Sequence, residues 1–349
     1  MDVGTSDRED TTRMNKFTIN GQSYRLPNSL NRFQRDMYVH LINWKWKNIT
    51  KDVGIDDGIE YDAFLPERYV DQFPMLYTEV VPAVKSHLLK FPFRIHTYFN
   101  HMASSQAANI NLFLPILIHP KANAVLSKLN PQFARLANTE LDNGYRIEYW
   151  DQPNGILNDK NARTGTDTDI AIAYFDHDER LCLWLIEHKL TEKEFTTCGG
   201  YKSDGKKAHH DCKRSFIDIL NNMNLCYYHD VCQYRYWVIT KVNRDFFVNH
   251  AKHTKCPFQG GMNQLWRNQL LAFGVEQDSR QPYKHVHFSV VKHSRNSLLD
   301  KTMSAYKDLI DNNPRFTDFT SAEIIAAAYS IGDANLDKWI EWYKELYKL

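Results

Sequence analysis

The pattern of apolar and polar positions changes character near the middle of the chain, and that change predicts the architecture. Residues 145–150 alternate Tyr, Ile and Tyr with Arg, Glu and Trp, while residues 170–175 and 181–186 are short, mostly apolar runs. Alternation fits a half-covered strand, and an unbroken apolar run fits a strand covered on both faces. Asp176, His177, Asp178, Glu179 and Arg180 separate the last two runs and read as a polar hairpin turn. Three consecutive strands are the economical reading.

Helical spacing dominates on either side. Residues 30–49 place Phe33, Met37, Leu41, Trp44 and Trp46 near a helical repeat, with Asn28 or Ser29 as the cap. Gly54, Gly58, Pro66, Pro74, Pro82 and Pro92 make residues 50–92 irregular, apart from one short helix near 81–89. Within 95–118, Met102, Gln106, Ile110 and Phe113 recur at helical spacing, and Ser104, Ser105, Asn109 and Asn111 give that helix a polar face. A second helix at 122–137 carries Val125, Leu126, Leu129, Phe133 and Leu136, with Pro131 kinking or dividing it. Beyond the three strands, 216–225 reads as a helix and 234–242 as a fourth strand. Helices at 262–273 and 298–310 bracket a strand at 285–291, and two more helices begin at Ser321 and Leu336. The order helix, three strands, helix, strand makes the third and fourth strands parallel and the sheet mixed. The expected fold is therefore α/β, a mixed four-stranded core sheet (α-β-β-β-α-β) with added N- and C-terminal helices. Its expected divisions are a disordered leader at 1–15, a helical and irregular region at 16–94, the core at 95–295 and a helical region at 296–349.

Composition narrows the class. With 349 residues, 43% of them apolar and 24% charged, the chain can bury a substantial core. Its net charge of +1 shows no global excess of positive charge, so any nucleic-acid surface must be a local patch. The longest apolar run, residues 112–118, contains Pro115 and is far short of the roughly 20 residues that span a bilayer. The polar, acidic first residues lack the basic start and apolar middle of a secretory signal. A reducing cytoplasm is the expected compartment, where the six cysteines serve as thiols or metal ligands.

Candidate chemistry concentrates in Thr166-Asp167-Thr168-Asp169 and, across the hairpin, Glu187-His188-Lys189. Residues two apart on a strand share a face, so Glu187 and Lys189 project to one side and His188 to the other. That side can meet Asp169. Two converging carboxylates suit a hard divalent cation such as Mg²⁺ or Mn²⁺, and a neighbouring lysine can position or deprotonate a water. Asp167 is a second candidate ligand beside Asp169; Asp169 is favoured because it stands directly at the start of the apolar strand.

Asp169 followed eighteen residues later by Glu187-His188-Lys189, on the second and third strands of such a core, resembles the PD-(D/E)XK nuclease superfamily, with Thr168 where the family places proline. Ser104-Ser105-Gln106-Ala107 with Asn111, and Cys256-Pro257-Phe258 followed by Gln264-Leu265-Trp266-Arg267-Asn268, resemble a bacterial subgroup of it over roughly residues 60–300. The resemblance implies a restriction-endonuclease-like fold and a metal-dependent DNA endonuclease, with a role in defence against foreign DNA. It implies a metal held by Asp169, Glu187 and the His188 carbonyl, with Lys189 orienting the attacking water. Gln106 then stands where many relatives place Glu, and Arg267 or Asn268 braces the site. An RNase using the same site, and a catalytically silent nucleic-acid-binding or assembly module, are the competing readings. A homodimer would let one site per chain cut both strands.

Five of the six cysteines fall between Cys198 and Cys256. Under the expected topology Cys198, Cys212 and Cys256 lie toward one end of the sheet, and Cys226 and Cys232 lie at the far end of the intervening helix. A structural zinc or iron–sulfur site on the first three plus a His or another Cys is one expectation, and unligated thiols are the other. Lys193, Lys202, Lys206, Lys207, Lys213 and Arg214 crowd the segment after the catalytic strand, where they would neutralise phosphates.

Overall fold

The computed structural model describes residues 14–150, 155–159 and 165–349. Of the expected leader, residues 1–13 lie outside the described residues, and Met14 and Asn15 belong to a strand. Strands β1 (Met14–Ile19) and β2 (Gln22–Pro27) pair antiparallel around Asn20-Gly21. Both turn residues have positive φ, 52° and 78°, which glycine and asparagine adopt at least cost and which matches the twist of the flanking strands. Helix α1 (Arg32–Asn48) starts later than expected, because Asn31 rather than Asn28 or Ser29 caps it in a reciprocal box with Gln34. A second tight hairpin joins β3 (Gly54–Asp56) to β4 (Ile59–Tyr61). The buried Lys45 ammonium ties α1 to the following loop by donating to the carbonyls of Asp62 and Phe64, 2.7 Å each.

Helix α2 (Val81–Lys90) matches its expected span closely. Helix α3 (Ser105–Leu117), capped by Ser104, occupies only the second half of residues 95–118. Pro131 divides the next expected helix: α4 (Ala122–Leu129) is followed by a strand, β5 (Phe133–Leu136), since proline cannot continue the helical ladder. The three central strands are β6 (Tyr145–Tyr149), β7 (Thr168–Asp176) and β8 (Leu181–Lys189). Asp176 shapes the turn between the last two, its Oδ1 accepting the N–H groups of Asp178 (3.0 Å) and Arg180 (2.9 Å).

The fourth strand expected at 234–242 is a helix. After α5 (Phe216–Asn221) and α6 (Tyr227–Asp230), α7 spans Tyr236–Val242. Its aromatic and β-branched residues favour strands locally, but the buried set is Tyr236, Trp237, Ile239 and Thr240, with Val242 70% exposed. That is helical spacing, and packing overrides propensity. The parallel neighbour of β8 is instead β9 (His285–Lys292), reached through α8 (Met262–Gln277). Helix α9 (Asp300–Leu309), β10 (Phe316–Thr320), α10 (Ser321–Tyr329) and α11 (Ala334–Tyr347) complete the chain.

The central sheet has six strands where four were expected. Its order is β10-β9-β8-β7, with β6 beside the first half of β7 and β5 beside the second. Pairings with β7 are antiparallel, while β8–β9 and β9–β10 are parallel, so the sheet is mixed. On one face Ile170, Ile172, Trp184 and Ile186 pack against α3, α4, α10 and α11. On the other, Ala171, Ala173, Leu183 and Leu185 pack against α7, α8 and α9. Both faces being covered explains why β7 and β8 read as continuous apolar runs. Among the described residues no helix is long and apolar enough to cross a membrane.

Asn111 of α3 joins the first layer together. Its Oδ1 accepts the Tyr77 N–H (2.8 Å), and its Nδ2 donates to the Met75 carbonyl (2.9 Å) and the Tyr347 hydroxyl (2.9 Å). Asn111→Ala leaves the buried main-chain groups of Met75 and Tyr77 without these partners. It is expected to cost about 2–4 kcal/mol in urea unfolding; a loss under about 0.5 kcal/mol would show that these bonds do not hold the layer.

Candidate active site

Strand register assembles the site. Ile170 pairs with Ile186, so one further step of the antiparallel ladder sets Asp169 opposite Glu187 at the end of the hairpin. Asp169, Glu187 and Lys189 lie on the face that α8 covers, and all three are buried. Lys189 Nζ stands 2.8 Å from Glu187 Oε1. Helix α8 offers Gln264 and Asn268, one helical turn apart. Their amides donate to Glu187 Oε1 (2.7 Å) and Oε2 (2.9 Å), so both carboxylate oxygens are held. Of the two expected braces, Asn268 therefore touches the site directly. Arg267 faces Tyr236 and Asp159 and contributes positive charge toward Asp167.

Asp169 Oδ2 accepts the His188 N–H at 2.5 Å, and the Asp169 carbonyl accepts from Asn109 Nδ2 at 3.1 Å. The His188 ring turns to the opposite side and is buried, as strand alternation requires. Asp167 lies just before β7 with its side chain open to solvent. Its segment is anchored by Asp159, whose Oδ2 takes the hydroxyls of Thr166 (2.5 Å) and Tyr236 (2.8 Å).

Gln106 does not meet the trio directly; it reaches the cluster through Glu148, a residue the sequence reading missed. Gln106 Nε2 donates to Glu148 Oε1 (2.7 Å) and to the Arg94 carbonyl (3.0 Å), and its Oε1 accepts the His96 N–H (2.9 Å). Glu148 is buried on β6 with φ of 52°, an unusual backbone state for a residue with a side chain. In the alternation of β6 it looked like a solvent-facing position. Gln106 thus holds the carboxylate of a residue on β6.

Electrostatics show the cost of this gathering. Burial first, and then the charges of Glu187 and Glu148, push the Asp169 carboxyl well above its ordinary range. Although Asp167 reaches solvent, the protein packed around it desolvates its carboxyl, and Glu148 and Glu187 add to the effect, raising it to about 7. Burial opposes charge on Lys189, yet Glu187, Glu192 and Asp169 hold its ammonium above the lysine range. Burial also opposes His96, and Glu148 reverses the balance to raise it. Such a set of oxygen donors, short of positive charge, fits a hard divalent cation, and Mg²⁺ commonly needs only one or two carboxylates with waters completing its shell. Among the described residues, the group bringing three candidate ligand atoms within 4.8 Å of one another is His209, His210 and Asp230, in the connection between β8 and α8. Asp169 and Glu187, with Asp167 as the further candidate and waters completing the shell, are the donors available here.

The remaining expected residues lie in the long connection between β8 and α8. Cys198, Cys212 and Cys256 gather there together with Cys226, which was expected at the far end of a helix. The short α5 and a return turn at Met223–Leu225 bring it back, and Cys256 follows helical turns rather than a strand. Of the basic residues, Lys193 donates to the Ser29 carbonyl (2.8 Å), Lys206 to the Tyr201 carbonyl, and Arg214 pairs with Asp211 (3.1 Å).

Residues 56–348 match the family described as Restriction Endonuclease associating with ARP. No curated protein and no solved structure matches the chain.

The raised Asp167 carboxyl has a pH signature. Between the unfolded aspartate value of about 3.9 and about 7, the folded chain keeps a proton that the unfolded chain has lost. Its contribution therefore makes stability fall as pH rises through that window. Asp167→Asn removes the penalty, so in metal-free buffer its melting temperature is expected to gain on the wild type as pH rises and to level off above about 7. A difference that does not change with pH would contradict this account.

Proposed function

Since the chain belongs to the family of restriction endonucleases associating with ARP, we propose that it hydrolyses DNA phosphodiester bonds at the Asp169, Glu187 and Lys189 cluster. We read that cluster as a PD-(D/E)XK site. The observation that carries this reading is the Glu187–Lys189 ion pair facing Asp169 at the sheet end, with Gln264 and Asn268 fixing the carboxylate. When bound by Asp169 and Glu187, Mg²⁺ or Mn²⁺ would polarise a phosphate oxygen and acidify an attacking water.

The side chains divide the remaining work. Gln264 and Asn268 keep the Glu187 carboxylate in one orientation, so a ligand set needs little rearrangement to form. Lys189, held as an ammonium, donates hydrogen bonds to a nucleophilic water or to the charge that builds on phosphate; this favours the orienting role over that of a base. Asp167, exposed just before β7, would take up the proton the water gives away. Lys202 and Lys213 are exposed on the loop after β8 and available to the phosphate backbone. Action beside an ARP partner, in defence against foreign DNA, is the biological setting we propose from the family's description.

Supercoiled plasmid tests the reading. Wild type is expected to nick it with Mg²⁺ or Mn²⁺ and not with a chelator, and Asp169→Asn, Glu187→Ala and Lys189→Ala are expected to lose at least about 100-fold in rate while keeping the wild-type circular dichroism. Faster metal-dependent cleavage of single-stranded RNA would reassign the substrate. Binding of DNA without cleavage by wild type under any metal would replace the enzyme with a binding module.

A further inference from the structure

Four of the five cysteines in the connection between β8 and α8 lie far apart in sequence and are brought together in space. Backbone hydrogen bonds lay their segments together. The Cys198 N–H donates to the Gln259 carbonyl (3.1 Å), that of Cys256 to the Cys212 carbonyl (3.3 Å), and that of Asp211 to the Leu225 carbonyl (3.0 Å). The Gln259 side chain also donates to the Cys212 carbonyl. Cys198 is buried and Cys212, Cys226 and Cys256 are half-buried, all as free thiols. Their mutual proximity appears in their acidity: burial first, and then Cys226, Cys198 and Cys212, raises the Cys256 thiol, and Cys226 and Cys212 likewise bear on Cys198.

Local geometry separates these cysteines from ordinary small apolar residues. Cys198 Sγ accepts the Tyr201 N–H at 3.3 Å and also faces the N–H of Gly200. Cys226 faces the N–H groups of Tyr228 and His229, and Cys256 that of Phe258. A neutral thiol is a weak acceptor, whereas N–H donors two and three residues ahead stabilise a thiolate. The Cys198 turn is further shaped by Gly199 and Gly200, where an added Cβ would stand 3.0 and 3.1 Å from the Tyr228 side chain that packs over them. Thiols kept only for bulk need neither the donors nor the turn.

We propose that Cys198, Cys212, Cys226 and Cys256 bind a metal centre through four thiolates, and that this centre is an iron–sulfur cluster. Spacing favours the wider centre. Tetrahedral zinc, with Zn–S bonds of about 2.3 Å, requires sulfurs about 3.8 Å apart, and no three of these four stand within 4.8 Å of one another. A [4Fe–4S] cluster binds each thiolate at its own iron and so spaces the sulfurs more widely than one zinc ion does. The nearby His209, His210 and Asp230 form a weaker cation site, because Lys207 Nζ already stands 3.8 Å from the same Asp230 oxygen that both imidazoles contact. The centre would tie the segment after Lys189 to the start of α8, where the Thr196 N–H donates to Gln264 Oε1 (3.0 Å).

The test uses the full chain purified without oxygen. Iron and acid-labile sulfide in near-equal amounts, about four of each per chain, with broad visible absorption are expected. Cys226→Ser and Cys256→Ser should lose most of both, and Cys182→Ser and Cys232→Ser should retain them. Absence of iron and sulfide from the wild type, even after anaerobic reconstitution, would overturn the proposal whether or not any variant folds. So would equal iron in all four variants. Stoichiometric zinc in place of iron would overturn the cluster. None of these readouts depends on nuclease activity, so failure here and failure of the nuclease reading are separable.

Discussion

Antiparallel pairing of β7 with β8 has a period of two, so a slip of one residue would carry every side chain to the opposite face. Asp169, Glu187 and Lys189 share a face because Ile170 pairs with Ile186 and because Asp176 fixes where the chain reverses. The same register sends Ile170, Ile172, Trp184 and Ile186 into one core and Ala171, Ala173, Leu183 and Leu185 into the other. Burial on both faces thus enforces the alignment that the site needs. Any alternative register would bury charge among apolar side chains at a cost of several kcal/mol.

The site itself works against stability. Asp169, Asp167, Glu187 and Glu148 gather with Lys189 and Arg267 as the nearby fixed cations, and the weakened acidity of both aspartates expresses that imbalance. Gln264, Asn268, Asn109 and Gln106 offset part of the cost with hydrogen bonds to the carboxylates or their backbone. These neutral amides orient the oxygens without cancelling their charge. A site braced by lysines or arginines at those four positions would be more stable and would have less affinity for a cation.

How far the fold can be read from the chain depends on where burial and local preference agree. The β7–β8 hairpin agrees on both counts: two apolar runs, each long enough for a strand, around a polar turn. Residues 236–242 do not, since Tyr-Trp-Val-Ile favours a strand while the packing of Tyr236, Trp237 and Ile239 demands a helix. Asn20-Gly21 and Asp57-Gly58 are strong hairpin signals, overlooked because the flanking strands are short and poorly alternating. Glu148 and Cys226 escaped for another reason. Each is ordinary in its local pattern, and its neighbours in space come from residues 40 or more positions away or from a chain reversal no periodicity announces.

Helix α8 is where these strands of argument meet. It covers the face of β8 that bears Glu187, its Gln264 joins Thr196 to that carboxylate, and Trp266 stacks on Phe258 at 4.1 Å in the turn that follows Cys256. The connection from β8 to α8 is long and contains little regular structure beyond α5, α6 and α7, so its own backbone cannot hold α8 in place with much precision. Aromatic packing of Trp237, Phe258 and Trp266 supplies one constraint. Convergence of the Cys198, Cys212, Cys226 and Cys256 segments supplies another. A displacement of about 1 Å at Gln264 would release one oxygen of Glu187 from its brace, and positioning errors of that size are enough to cost orders of magnitude in rate. The packing that anchors this connection is therefore as much a condition of the site's geometry as the register of the carboxylates.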